Sequence, residues 1–212
     1  REHVEKVLEP MLYDQKEPIG SMGDDTPLAV LSEKPQRFYR FFKQRFAQVT
    51  NPPIDPYRER VVMSLTTRVG VSSDLTDDRP QNARFIELPS PILSTSTFEA
   101  LKRFDELSGV ALSTTFEVAE GPDGMVQAVE SLREEAVALA RKGARLLVLS
   151  DREAGAQRAH IPALLATAAV HHALIESGDR MGVAIIVDSA DVIEDHDVAT
   201  LISYGALAVH PH

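Results

Sequence analysis

Apolar residues recur at helical spacing through the first 65 residues of the chain. A helix is predicted over 2–15, with a kink or break at Pro10. A second is predicted over 36–48, where phenylalanines share one face, and a third opens at Asp55–Pro56 and runs to Leu65. The apolar positions of these three helices are Val4, Val7, Leu8, Met11 and Leu12, then Phe38, Phe41, Phe42 and Phe46, then Val61, Val62 and Leu65.

From residue 110 the pattern changes to short apolar strands alternating with amphipathic helices. The strands are predicted over 110–116, 145–150, 182–188 and 207–209, and the helices over 123–142, 162–177 and 190–204, each ended by a glycine. Such alternation indicates right-handed βαβ units and a parallel sheet. We predict an α/β fold whose parallel βα units resemble a partial β/α barrel, with a small open sheet as the alternative.

The region between these two parts has a weaker pattern. Residues 66–82 are polar and predict a connector, followed by a short strand over 85–88 and a helix over 97–107. We therefore expect one domain over 1–212, with a helical portion over 1–65, the connector, and an α/β portion over 83–212. Since the chain opens on Arg1 and closes on a buried strand, we expect it to be a piece of a longer polypeptide.

Composition narrows the possible partners. The formal net charge of −10 argues against a nucleic-acid or anionic-membrane partner. No apolar run approaches the length of about 20 residues that spans a bilayer, and no leader pattern is present, so we expect a cytoplasmic protein.

The absence of cysteine excludes disulfides, thiolate nucleophiles and cysteine-ligated zinc or iron–sulfur clusters in this chain.

Polar residues follow three of the predicted strands. Asp151, Asp188 and His210 each stand at or just after a strand end, the edge where active sites lie in parallel α/β folds. They could form a convergent metal or acid–base site. Alternatively, Asp188 and Ser189 cap the helix predicted from residue 190, which is the commoner role of such residues.

The other histidines and charged residues have simpler interpretations. The long loop 151–161, with Arg152, Glu153, Arg158 and His160, could bind a ligand, but we favour contact with a neighbouring domain. Adjacent helical residues point about 100° apart, so of His171 and His172 one is expected to be packed and the other solvated. His196, among Glu194, Asp195 and Asp197, predicts a solvated helix face. Nucleophilic catalysis has little support, since no Gly-x-Ser-x-Gly elbow or recognisable Ser–His pairing is present.

Two loops are rich in Gly, Pro, Asp and Asn, over 17–27 and 47–56. Each ends in an Asp- and Pro-containing helix start, so rigid, well-defined turns are expected. We predict that these loops face other domains through Ser21, Met22, Gly23, Asp25, Thr26, Thr50, Asn51, Pro52 and Asp55.

These loops also carry a family resemblance. Residues 17–32 (EPIGSMGDDTPLAVLS) and 41–65 (FFKQRFAQVTNPPIDPYRERVVMSL) closely resemble the central domain of the glutamate synthase large subunit. Further matches follow in order at LPSPILS (88–94), LSDR (149–152), IPALLA (161–166), VHH (170–172) and YGA (204–206). The stretch 66–78 is weaker, and His210–Pro211 stands where the family usually has Asn-Pro.

The resemblance implies a segment of a larger enzyme. In that enzyme an amidotransferase domain releases ammonia from glutamine, and an FMN-binding domain with an iron–sulfur cluster converts ammonia and 2-oxoglutarate to glutamate. A small electron-transfer subunit or ferredoxin supplies electrons. The central domain would link the two catalytic domains and help to form the ammonia tunnel, with no catalytic, cofactor-binding or metal-binding residue of its own. Two other classes stay open, a stand-alone α/β enzyme using Asp151, Asp188 and His210, and a free binding module.

Overall fold

The computed structural model describes residues 4–16, 27–43, 53–70, 85–104 and 107–212. It divides into two compact units, residues 1–37 and 38–212. In the first unit the helical path predicted over 2–15 is present as two wide, π-type turns, Val4–Leu8 and Pro10–Asp14, so Pro10 begins the second turn. A short 3₁₀ turn follows at Ala29–Leu31.

The second unit holds the α/β portion. Its described helices are α1 (Pro56–Val62), α2 (Thr95–Lys102), α3 (Gly121–Arg141), α4 (Ala163–Glu176) and α5 (Asp195–Ser203). Its described strands are β1 (Thr67–Gly70), β2 (Phe85–Leu88), β3 (Gly109–Ser113), β4 (Thr115–Glu117), β5 (Leu146–Ser150), β6 (Arg158–His160), β7 (Ala184–Ser189) and β8 (Ala208–Pro211). Short 3₁₀ turns lie at Phe38–Phe42, Val118–Glu120 and Arg180–Gly182.

Four parallel strands form the central sheet in the order β3-β5-β7-β8. Each strand lies beside the previous one in chain order, as in part of a β/α barrel, and within the described ranges the sheet is open. The segment Pro91–Leu93 runs along the outer edge of β8, where Leu93 N donates to Val209 O and Val209 N donates to Pro91 O. The predicted α/β fold with parallel βα units is confirmed.

Alternate residues of the strands enter two different cores. Leu147, Leu149 and Ile185 pack with buried residues of α3 and α4, whereas Leu146 and Ile186 pack with those of α2 and of the paired strands β1 and β2. A third cluster joins α4, α5 and the far ends of β7 and β8. Because both faces of the sheet are covered, the central strands can be apolar at every position, as predicted for residues 146–149.

Two strands lie where the sequence predicts none. β1 falls inside the predicted connector and pairs antiparallel with β2. β6 falls inside the predicted loop 151–161 and pairs antiparallel with β4. The predicted strand over 110–116 is therefore divided at Thr114, since β3 pairs with β5 while β4 pairs with β6. Strands of three or four residues are too short to give a recognisable two-residue alternation.

Helix ends follow the predicted glycines, but two helix faces differ from expectation. Gly143, Gly178 and Gly205 adopt positive φ after α3, α4 and α5. On the 3₁₀ turn Phe38–Phe42, Tyr39 is buried rather than the phenylalanines, and on α1 and just after it Val61, Val62 and Leu65 are exposed. No helix in the described part of the chain has the length and apolar character needed to cross a membrane.

Candidate functional site at the carboxyl ends of the strands

A polar row crosses the sheet where its strands end. Ser113, Ser150, Asp188 and His210 are register partners on β3, β5, β7 and β8. Register partners in a parallel sheet project to the same face, here the face covered by α2. Beneath them Val148, Ile186 and Ala208 continue the row as core. The sequence interpretation that brings Asp188 and His210 together is therefore correct in its geometry.

Asp188 lies at the centre of this row and is buried. Arg152 binds both carboxylate oxygens, with Nε 2.7 Å from Oδ2 and Nη2 3.0 Å from Oδ1. Ser150 Oγ donates to Oδ2 at 2.8 Å. Burial alone would raise the pKa of Asp188, but hydrogen bonds from Arg152, His210 and Ser150 outweigh it and hold the pKa below its ordinary value. The site therefore holds an ionised carboxylate.

His210 connects Asp188 to helix α2. Its Nδ1 lies 2.7 Å from Asp188 Oδ1, and its Nε2 lies 3.3 Å from Thr95 Oγ1. The ring stacks on Phe98, with centroids 4.3 Å apart and planes 9° from parallel. These three contacts fix the position of the imidazole in a residue that is only 1% exposed.

Asp151 forms a second buried carboxylate next to the first. It accepts from Ser189 Oγ and from the backbone N–H of Ala190. His212 Nε2 lies 3.0 Å from Asp151 Oδ1 and 3.9 Å from Asp188 Oδ1, so it bridges the two carboxylates. Asp151, Asp188 and His210 thus belong to one cluster, joined through His212.

The sequence allows a metal site at this cluster. In the described ranges, no group of three or more histidine, aspartate or glutamate side chains is placed to hold a metal ion. The helix-capping alternative for Asp188 and Ser189 is wrong, because α5 begins at Asp195 and its first turn is capped by Glu194 and Asp197. Asp197 is buried in that role, which corrects its assignment to a solvated face.

The loop 151–161 binds its own sheet. Arg152 pairs with Asp188, Glu153 accepts from Ser113 Oγ at 2.8 Å, and Arg158 Nε donates to Thr115 Oγ1 at 2.9 Å. His160 belongs to β6 and is exposed. Three of the four candidate side chains of the loop, those of Arg152, Glu153 and Arg158, therefore bind within the domain. Contact of the loop with a neighbouring domain stays a prediction.

The histidines of α4 are arranged as predicted, with His171 partly buried and His172 exposed. Arg180 Nε donates to His171 Nδ1 at 2.8 Å, while its Nη atoms donate to the carbonyls of Val183 and Gly205. Burial, then the positive charge of Arg180, lowers the pKa of His171. His171 therefore acts as a hydrogen-bond acceptor that holds the turns after α4 and α5 together.

The predicted domain-facing residues lie mostly outside the described part of the chain. Ser21, Met22, Gly23, Asp25, Thr26, Thr50, Asn51 and Pro52 belong to ranges that the structure does not describe. Asp55 is described, and its side chain accepts from the backbone N–H groups of Tyr57 and Arg58, which caps α1. The predicted helix start at Asp55–Pro56 is confirmed.

Two members of the cluster were missed by sequence reasoning, Thr95 and His212. Thr95 is 115 positions away from His210 along the chain, and only the docking of α2 on the sheet brings it close. The sequence could have identified His212, because alternate residues of a strand share a face and His210 and His212 are two positions apart.

Comparison with known proteins identifies the chain's relatives. The family model described as glutamate synthase central domain matches residues 1–212. A chloroplastic ferredoxin-dependent glutamate synthase of Oryza sativa subsp. japonica is 45% identical over 214 residues. The large chain of an NADPH glutamate synthase of Azospirillum brasilense is 43% identical over 211 residues, and an NADH glutamate synthase of Schizosaccharomyces pombe is 39% identical over 215 residues. All of this chain is covered in each case, but only 13%, 14% and 10% of the respective relative.

Proposed function

The chain belongs to the glutamate synthase central domain family, and from this premise we propose that it is the connecting domain of a glutamate synthase large chain. It links a glutamine amidotransferase domain to an FMN-binding synthase domain and contributes to the ammonia tunnel between them. The chain spans only 10% to 14% of these relatives. Polypeptides of that length have room for the two further domains.

The enzyme proposed for the whole polypeptide makes glutamate from glutamine-derived ammonia and 2-oxoglutarate. FMN and an iron–sulfur cluster belong to the neighbouring domains, since the cysteine-free chain offers no thiolate ligand for a cluster. We propose that electrons come from a small electron-transfer subunit or from ferredoxin. The name of one relative states that it depends on ferredoxin, and the name of another states NADPH. A cytoplasmic location remains our prediction.

One observation carries the connecting role, the apolar face of α1. Tyr57 and Val61 are four residues apart on α1 and form an exposed stripe together with Val62. Leu65 lies just beyond the end of the helix, and each of these four residues is more than half exposed. α1 has seven residues and buries none of them. An isolated helix of this length is marginal in water, so an apolar cover from the rest of the polypeptide would stabilise it. Asp55, from the predicted domain-facing loop, fixes the start of this helix.

A matched pair of valines tests this role in the full-length polypeptide. Val62 on α1 is 57% exposed and Val126 on α3 is 59% exposed. A charge on a surface that docks another domain costs on the order of 2–5 kcal/mol of docking free energy, whereas a charge in water costs little. We expect Val62→Asp to uncouple the reaction, so that at least about twofold more glutamine is hydrolysed than 2-oxoglutarate consumed. Val126→Asp should keep the two rates equal.

The predicted loops are tested in the same assay. Alanine substitutions at Ser21, Asp25, Thr50 and Asp55 should also raise the ratio of glutamine hydrolysed to 2-oxoglutarate consumed. Equal rates in this variant and in Val62→Asp would contradict the connecting role, because neither surface would then affect communication between the two catalytic domains.

A further inference from the structure

A carboxylate, an imidazole and a hydroxyl lie in line at the end of the sheet. Asp188 Oδ1 is 2.7 Å from His210 Nδ1, and His210 Nε2 is 3.3 Å from Thr95 Oγ1. Each side chain comes from a different element, β7, β8 and α2. This order of groups, carboxylate to imidazole to hydroxyl, is the arrangement that activates a hydroxyl nucleophile in acyl-transfer enzymes.

The hydrogen bonds also fix the tautomer of His210. An ionised carboxylate only accepts hydrogen bonds, and Asp188 is held ionised by the guanidinium of Arg152. The proton of the neutral imidazole must therefore be on Nδ1, which leaves the lone pair of Nε2 directed at Thr95 Oγ1. Arg152 Nη2 lies 3.5 Å from Nδ1 and cannot donate to it, since Nδ1 carries the proton shared with Asp188.

The position of Thr95 suits a nucleophile. The chain runs beside β8 through Pro91–Leu93, with one isolated bridge at Ile92, and Ser94 then caps α2, which begins at Thr95. Thr95 is exposed, so a substrate can reach its hydroxyl, whereas His210 behind it is buried. The first backbone N–H groups of a helix have no acceptor within the helix, so the amide of Ser96 can receive a negative oxygen formed next to Thr95.

We propose that Thr95 is a reactive nucleophile, activated by His210 and oriented through Asp188, that accepts acyl groups from small carboxylic esters. Thr95 Oγ1 bonds to the carbonyl carbon while its proton passes to His210 Nε2. The carbon–oxygen bond to the leaving alcohol then breaks, and the alcohol takes that proton. Water hydrolyses the acyl-threonine by the same steps, which returns the free hydroxyl and a carboxylic acid. This reactivity goes beyond the connecting role and opposes the expectation of no catalytic residue in the segment.

The same helix start supplies internal controls. Ser94 Oγ lies 2.9 Å from both Ser96 Oγ and Thr97 Oγ1, and it accepts from Thr97 N. These hydroxyls share the helix start with Thr95, but no described contact joins them to an imidazole. Reactivity due to the helix start alone would therefore appear at all of them, whereas activation by His210 selects Thr95.

A fluorophosphonate probe tests the proposal in the full-length polypeptide. Thr95 Oγ1 displaces fluoride from phosphorus and its proton passes to His210, leaving a stable adduct that mass spectrometry assigns to one residue. General-base activation contributes about 10²–10⁴-fold. We therefore expect the labelling rate at Thr95 to exceed that at Ser96 and Thr97 by at least about 100-fold.

Variants then test the role of each group. Thr95→Val should abolish the adduct at this site, Thr95→Ser should keep it, and His210→Gln should lower the rate at least about 100-fold. Equal labelling of Ser94, Thr95, Ser96 and Thr97 in the unsubstituted polypeptide, or none at Thr95, would overturn the proposal without reference to any variant. An undiminished rate in His210→Gln would overturn the assignment of His210 as the base.

Discussion

Asp188 is only 2% exposed and is nevertheless ionised, because Arg152, His210 and Ser150 together donate four hydrogen bonds to its two oxygens. A buried charge without such donors lowers the free energy of unfolding by several kcal/mol, and removal of one partner from a buried ion pair typically lowers it by about 3–5 kcal/mol. Arg152 is about half exposed, and water therefore weakens its contribution. Asp188 therefore joins the ends of β5, β7 and β8 through hydrogen bonds, and it is also a member of the proposed relay.

Replacement of this carboxylate gives a prediction with a defined pH dependence. At neutral pH, Asp188→Asn should lower the free energy of unfolding by about 2–3 kcal/mol, measured by urea denaturation. Because the pKa of Asp188 is lowered on folding, its stabilisation is present above the unfolded pKa of about 3.9 and is lost as pH falls through the folded value. The difference between the two proteins should shrink below about pH 4.

An exposed acid provides the control for this prediction. Glu135 lies on α3 and is exposed, so Glu135→Gln should change the stability by less than about 0.5 kcal/mol at neutral pH. A loss that is equal for the two variants, or a loss for Asp188→Asn that persists unchanged at pH 3, would show that the charge of Asp188 is not what stabilises the cluster.

Helices α4 and α5 are joined by the turns that follow them. Arg180 donates to His171 on α4 and to the carbonyl of Gly205 after α5. Gly205 has φ +112°, and a Cβ at this position would overlap the ring of His171. A side chain there would therefore strain the backbone and displace the imidazole that Arg180 binds.

A matched pair of glycines tests this contact. Gly205→Ala should destabilise the fold by about 2 kcal/mol or more, since a positive φ alone costs about 1 kcal/mol and the overlap adds to it. At Gly155 an added Cβ would meet no atom within 4 Å, and φ is not in the left-handed range. Gly155→Ala should change the stability by less than about 1 kcal/mol, in either direction. Comparable thermal midpoints for both variants would contradict the role given to the Gly205 turn.

The elements predicted correctly from sequence are those whose signal is local. The continuous apolar run 146–149, the amphipathic repeat of α3 and the glycines that follow α3, α4 and α5 depend only on nearby residues, and the structure confirms them. β1 and β6 depend on distant partners, β2 and β4, and the sequence pattern misses them. The sequence pattern predicts that α5 begins at Ala190, five residues too early, because Ala190 continues the apolar repeat. In the structure the capping box formed by Glu194 and Asp197 sets the start of the helix.

The candidate site was predictable only in part for the same reason. Asp151, Asp188 and His210 could be selected because parallel strands place their carboxyl ends at one edge. Thr95 could not, since no rule of spacing connects residues 95 and 210 before the docking of α2 is known. The role of Asp188 was also open in the sequence, because an aspartate at a strand end can cap a helix or bind an arginine.

At the scale of the whole molecule, the central claim is that this chain is the connecting part of a glutamate synthase large chain. The family match extends over residues 1–212, while the relatives are several times longer. The exposed stripe on α1 is a described apolar surface that another part of such a polypeptide can cover.

The most direct test is to isolate the intact polypeptide that contains this segment and to measure its length and its activity together. Our account predicts a polypeptide that is several times longer than 212 residues. It should form glutamate from 2-oxoglutarate at the rate at which it hydrolyses glutamine when an electron donor is supplied. A polypeptide of about this chain's own length, or a long one that forms no glutamate from 2-oxoglutarate, would contradict the account.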